Sequence, residues 1–241
     1  MLPVEVAVED VHCWVAPLLA RRRRVLEVGC GNGALARLLG EGGVEVTALD
    51  RELGDPAPAA ATGVRWVEAD FLGFEEQPYD ALLFTRSLHH IDPLERAVER
   101  ALGLLRPGGL LLLDEFDREA ADPETARWYY EVKELMAATG LYPADQIEGA
   151  PEDNPAARWR DEHDHMPPLH SGAAMLAAIS DRFSRLETRR GAYLYRSIAS
   201  GLEASDRGGV VASQLYGAET RRLQAAALSA VGLRIAAVAP A

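Results

Sequence analysis

The stretch "VLEVGCGNGALARLL" (25–39) constrains this chain more than any other. A short apolar run ends at Gly29, glycines recur at 31 and 33, and apolar residues then follow at helical spacing until Gly40. A strand that turns through glycines into a helix belongs to sheets whose ligands bind at the carboxyl ends of the strands, because backbone without Cβ atoms can approach a ligand there. Further strands are predicted at 44–50, 64–70, 80–85 and 110–114, and the last, "LLLLD", has the unbroken apolar character of a strand buried on both faces. Between the fourth and fifth strands Asp92 is placed as a helix cap and Pro93 as the first helical residue, with Leu94, Ala97, Val98, Ala101 and Leu105 on one face. A helix over 8–20, shortened or kinked by Pro17, precedes the first strand. Strands and helices that alternate with short connections imply an α/β fold, a parallel sheet with helices on both sides.

The pattern breaks after Asp114. A helix over 124–138 leads into a segment rich in Pro, Asp, Glu and His, and a stretch this irregular inside a compact domain reads as a functional cover or a poorly ordered segment. The expected organisation is one domain over 1–241 with a cover inserted at about 115–170. Beyond it lie a helix over 171–182, a strand over 188–196 with Tyr193 and Tyr195 facing the core, a helix over 213–230 and a strand over 234–239.

Charge narrows the partners. A formal net charge of −12 opposes a nucleic-acid polyanion, and the one dense basic run, Arg21 to Arg24, sits where cations complement a helix C-terminus. No apolar window is long enough for a membrane span, and the acidic start is unlike a secretory signal, so a cytoplasmic location is expected. Cys13 and Cys30 form no disulfide framework and lack metal-ligand spacing. The oligomeric state is not encoded in any feature recognised.

The glycines alone do not choose a ligand. Gly29, Gly31 and Ala34 satisfy the relaxed dinucleotide fingerprint, which leaves a nicotinamide-dependent oxidoreductase open. The acids around them discriminate more. Glu27, just before the loop, would repel a pyrophosphate and attract an ammonium group. Asp50 ends the second strand, where a carboxylate can accept from both ribose hydroxyls, and Asp70, followed by Phe71, ends the third, where it can accept from an adenine amine. Carboxylates at successive strand ends suit a ligand with an amine, a ribose and an adenine.

Together "VLEVGCGNG", Asp50, "EADF" (68–71), "YDALLFTRSLHHI" (79–91) and "LRPGGLLLL" (105–113) resemble the class I S-adenosylmethionine-dependent methyltransferases, in particular those acting on small molecules. The resemblance covers residues 25–114. It implies a doubly wound seven-stranded sheet in the order 3-2-1-4-5-7-6 with strand 7 antiparallel. It further implies S-adenosylmethionine as cofactor, held by Glu27, Gly29, Cys30, Gly31 and Gly33 at its methionine end, by Asp50 and Arg51 at the ribose and by Asp70 and Phe71 at the adenine. Thr85 and Arg86 would flank the sulfonium.

Transfer from an activated sulfonium needs positioning first and a base only where the acceptor must lose a proton. His89 and His90, after the fourth strand, are the candidate bases; the alternative is that one of them packs or caps backbone. His163, His165 and His170 are candidate substrate contacts. With Asp161 or Asp164 the first two have spacing that a metal could use, although a solvated acidic loop explains the same pattern and no metal is expected. A small-molecule methyltransferase is thus the leading expectation, with the oxidoreductase and a cofactor-binding protein without turnover as alternatives.

Overall fold

The computed structural model describes residues 1–54, 61–147, 154–163 and 169–241. One seven-stranded sheet organises it. Its order is β3-β2-β1-β4-β5-β7-β6, formed by β1 (Arg24–Val28), β2 (Glu45–Asp50), β3 (Val64–Glu68), β4 (Tyr79–Thr85), β5 (Leu105–Phe116), β6 (Ser184–Gly191) and β7 (Gly232–Val238). The first five strands are parallel, with Glu27 opposite Ala48 on one side and Leu83 on the other. Strand β7 runs antiparallel. The Ala239 N–H donates to Gly109 O at one end of β5 and the Asp117 N–H to Val231 O at the other, so the index falls on one strand as it rises on the other. This is the strand order that the resemblance implies, including the reversed seventh strand.

Burial follows the period of each element. Val25, Leu26, Glu27 and Val28 are all buried because β1 lies at the sheet's centre with helices over both faces. On one face Leu26, Val28, Phe84, Leu111 and Leu113 join a core with Ala97, Val98 and Ala101 of α3 (Leu94–Gly103); on the other, Val25, Ala81, Leu83 and Leu112 meet Leu35, Ala36 and Leu39 of α2 (Ala34–Glu41) and Val11, Val15 and Leu19 of α1 (Pro3–Leu19).

The chain divides into two compact units. One comprises Val8–Glu115, His170–Arg189 and Leu233–Ala241; the other comprises Met1–Ala7, Phe116–Leu169 and Arg190–Gly232, and so draws on more of the chain than the 115–170 insert expected from sequence. The second unit holds α4 (Pro123–Ala138), α5 (Pro155–Glu162), α7 (Leu194–Gly201) and α8 (Asp206–Gln224), whereas α6 (Gly172–Ser180) belongs to the first.

Several boundaries differ from expectation, each for a local reason. Helix α1 begins five residues before the expected start and runs through Pro17, two residues from its end, where little helix remains to be disrupted. Pro93, extended at φ −76° and ψ 137°, takes the cap position of α3, so Asp92 lies outside the helix. The sixth strand ends at Gly191 rather than 196. Tyr193 and Tyr195 mimic the period of two, but Leu194, Tyr195, Ile198 and Ala199 are buried at helical spacing along α7. Helix α8 starts at Asp206, earlier than the expected 213, capped by Ser205 Oγ, which accepts from the Gly208 N–H at 3.1 Å. Gly208 and Gly209 weaken its helical signature, and a Cβ at Gly209 would overlap the Met1 carbonyl.

Candidate functional site

The glycine loop is built by left-handed backbone. Gly29, Gly31 and Gly33 have φ of 73°, 53° and 68°, a region that residues with a Cβ rarely adopt. Packing adds a second constraint at two of them: a Cβ on Gly29 would overlap Ser87, and one on Gly33 the ring of Trp66. At Gly31 a Cβ would meet nothing within 4 Å, so that side of the loop is open. The loop is tied to β2, because the Gly29 and Cys30 N–H groups both donate to Leu49 O and the Gly31 N–H donates to Asp50 Oδ2 at 2.8 Å.

Glu27 is the exceptional group. It is 2% exposed on β1; Thr85 Oγ1 donates to its Oε1 at 3.2 Å, while Oε2 is buried with no hydrogen-bond partner. Burial raises its carboxyl to about 8; the Thr85 hydrogen bond and the nearby Ala36 backbone oppose this, and the Asp50 charge adds to it. An orphaned buried oxygen costs on the order of 1–3 kcal/mol, which a bound donor can offset. An ammonium group fits this need and a phosphate does not. The neighbouring Cys30 thiol is pushed up to about 12, first by burial and then by Glu27 and Asp50, so it is held as a neutral thiol.

The other two acids are differently placed. Asp50 organises its own turn, with Oδ1 accepting from the Glu52 N–H at 3.3 Å in addition to the Gly31 contact. Asp70 Oδ1 caps a short 3-10 turn (Phe71–Gly73) by accepting from the Leu72 N–H at 2.8 Å, and its Oδ2 pairs with Arg51 at 3.0 Å. That pair is exposed, so opening it for a ligand is inexpensive. Phe71 is buried edge-on against Phe84, 5.3 Å between centroids, and forms the floor beside Asp70.

The turn after β4 completes the carboxyl edge. Arg86, at φ 59°, is a non-glycine residue in left-handed backbone, a strained conformation that costs on the order of 1–3 kcal/mol, and its N–H donates to Asp114 O at 2.9 Å. Ser87 Oγ donates to Val28 O at 2.5 Å and so ties the turn to β1. His89 is buried with Nδ1 against Glu115 Oε2, and its ring lies 4.2 Å from that of the exposed His90. His170 is committed to backbone: its N–H donates to His89 O at 3.0 Å and its Nε2 to Ile91 O at 3.1 Å.

The remaining histidines do not form a cluster among the described residues. His163, in the second unit, lies tilted against Trp159 at 4.0 Å and Phe116 at 5.3 Å between centroids, with Nδ1 donating to Trp159 O at 2.8 Å. His165 and Asp164 lie outside the described residues. Among those described, no group of three His, Cys, Asp or Glu side chains is placed to hold a metal, and no helix is long and apolar enough to cross a membrane.

Among the buried acids that sequence reasoning passed over are Glu115 and Glu219. Glu115 Oε1 accepts from the Ser87 and Leu88 N–H groups at 3.0 and 2.7 Å. Glu219 of α8 accepts from the Tyr193, Leu194 and Tyr195 N–H groups at 2.7, 3.0 and 2.8 Å. The break in "LLLLDEF" from apolar to acidic was the one available signal for Glu115. Nothing in the sequence around "YGAETRR" marks Glu219 as buried.

The chain is similar to known methyltransferases. A family model described as a methyltransferase domain matches residues 9–170. An uncharacterized methyltransferase of Mycobacterium tuberculosis (strain ATCC 25618 / H37Rv) is 37% identical over 145 residues, which span 56% of this chain and 68% of the relative. The malonyl-[acyl-carrier protein] O-methyltransferase of Enterobacter lignolyticus (strain SCF1) is 31% identical over 143 residues, 56% of each chain. Among solved structures, the N-methyltransferase NodS from Bradyrhizobium japonicum in complex with S-adenosylhomocysteine has the same fold, with a TM-score of 0.53 at 12% identity over 97% of this chain and 87% of that one.

Proposed function

Since the chain belongs to the methyltransferase domain family and is an S-adenosylmethionine-dependent methyltransferase, we propose that it transfers the methyl group to a small-molecule acceptor by in-line displacement at the carboxyl edge of the sheet. Family membership also decides against the nicotinamide reading that the glycine spacing left open. The observation that carries the site assignment is the partnerless Oε2 of Glu27. When bound, the cofactor supplies a methyl group on a cationic sulfur, already activated as an electrophile.

The chain's own residues bind and orient. Glu27, ionised, accepts from the ammonium group, and the open side of Gly31 lets the methionine portion lie along Gly29, Cys30, Gly31 and Gly33. Asp50 retains lone pairs for the ribose hydroxyls beside Arg51. Asp70, whose exposed pairing with Arg51 is weak, would accept from the adenine amine beside Phe71. Thr85, which donates to Glu27, and the strained Arg86 would flank the sulfonium end of the cofactor. His90, exposed at the turn, and the His89 ring beside it face the acceptor. His170 spends a ring nitrogen on a backbone carbonyl, which leaves it a steric part in shaping an acceptor pocket, and His163 of the second unit likewise spends Nδ1 on the Trp159 carbonyl.

Titration calorimetry with S-adenosylhomocysteine tests the cofactor site. The wild type binds, and Asp50→Ala weakens binding at least tenfold; no binding by the wild type, or equal binding by the variant, overturns the assignment.

A further inference from the structure

The turn over residues 85–91 has more support than a turn needs. Its two leading N–H groups, of Ser87 and Leu88, both donate to one oxygen of Glu115, Oε1, and that alone satisfies the backbone. The second oxygen, Oε2, is spent on the His89 ring. Glu115 is fully buried at the end of β5, so a charged side chain stands where a neutral amide would cap the same backbone groups without the desolvation cost of a charge. The adjacent acid cannot take this part, because Asp114 Oδ1 is bound by Arg234 Nε at 2.7 Å, with Asp10 on the same guanidinium at 2.7 Å.

The His89 ring has little freedom left. Its carbonyl accepts from the His170 N–H, the Ile91 carbonyl is taken by His170 Nε2, and the preceding Ser87 is pinned to Val28 on β1. The His90 ring lies against it, 4.2 Å between centroids and tilted by 44°. An ionised carboxylate is an acceptor only, so the nitrogen facing it must donate. In the neutral imidazole the proton then sits on Nδ1 and the lone pair on Nε2.

We propose that Glu115 is a positioning residue of the methyl-transfer site: it fixes the His89 proton on Nδ1 and so presents the Nε2 lone pair to accept a proton from a protic acceptor, an amine or hydroxyl compound. This rests on the reading that the turn after β4 faces the acceptor. The proton passes from the acceptor's N–H or O–H to Nε2 as the acceptor atom forms its bond to the methyl carbon and the sulfur–methyl bond breaks, leaving S-adenosylhomocysteine and a His89 imidazolium held beside the Glu115 carboxylate. The same carboxylate that sets the tautomer thus stabilises the charge formed.

Long-range nitrogen–proton NMR of the histidine rings, with His89 assigned by its loss in His89→Asn, tests the inference. In the wild type at pH 8 His89 is expected in the Nδ1–H form. Glu115→Gln keeps a carbonyl oxygen for the Ser87 and Leu88 N–H groups but turns an amide N–H toward Nδ1, so His89 reverses to the Nε2–H form, a change that a carboxylate serving only the backbone would not produce. S-adenosylhomocysteine is expected to shift the wild-type Nε2 resonance and to bind Glu115→Gln within threefold of the wild-type affinity by calorimetry. A proton on Nε2 in the wild type, the same tautomer in both proteins, or an Nε2 resonance unmoved by bound S-adenosylhomocysteine would overturn the inference; the first and last need no variant to fold. Failure of S-adenosylhomocysteine to bind the wild type would instead remove the functional reading on which the inference stands, and calorimetry reports that separately.

Discussion

Glu27 and Glu219 are both glutamates with almost no solvent exposure, one on the central strand β1 of the first unit and the other in helix α8 of the second. Burial raises the carboxyl of each. Their surroundings differ in one respect. Glu219 has three backbone N–H donors at the start of α7, where the first turn of a helix leaves its amides without partners. Glu27 has a threonine hydroxyl on one oxygen and nothing on the other. A buried acid whose lone pairs are filled by its own chain is part of the architecture; one left short is waiting for a donor from outside.

If that contrast holds, removing Glu219 should cause the largest effect. Glu219→Ala leaves three buried N–H groups without an acceptor and is expected to lower stability by about 3–5 kcal/mol in urea denaturation. A loss below about 1 kcal/mol would break the comparison on its architectural side.

A smaller effect, of opposite sign, is expected at Glu27. Its folded carboxyl titrates near 8 against an ordinary 4.5, so between these values the folded state holds a proton that the unfolded chain has released. The contribution of the group is therefore fully present below pH 4.5 and is lost as pH rises toward 8, by about 1.4 kcal/mol per pH unit. Glu27→Gln does not titrate. Measured without ligand, its stability should gain on the wild type by about 2 kcal/mol between pH 6 and 7.5, and parallel pH profiles for the two proteins would contradict the account.

The smallest effect belongs to the exposed Arg51–Asp70 pair. Arg51→Ala should change stability by no more than about 0.5 kcal/mol, as for most surface ion pairs, in a thermal melt. A larger loss would mean that Asp70 too is held by its own chain and is less available than Glu27.

The first unit was largely legible in the sequence and the second was not, for physical reasons. Glu27, Asp50 and Asp70 sit at strand ends, and short parallel strands announce their ends by the switch from apolar residues to glycine or acid. In the second unit the cues are tertiary. The tyrosines at 193 and 195 alternate like a strand, yet Glu219, some two dozen positions later, supplies the cap that lets α7 form. Gly208 and Gly209 lower helix propensity in α8 because other chain segments must approach there. The two histidines expected as bases follow the fourth strand at a position that the sequence marks, whereas the acid against one of them, Glu115, lay hidden at the end of an apolar run.

Calorimetric titration of S-adenosylhomocysteine into the wild type and Glu27→Gln at pH 7 tests the central claim, that the unfilled oxygen of Glu27 receives the ligand's ammonium group, most directly. The account predicts wild-type binding accompanied by release of about one proton, read from the dependence of the heat on buffer ionisation enthalpy, and binding at least tenfold weaker with no proton release in the variant. Equal affinity in the two proteins, or wild-type binding with no proton released, would contradict it.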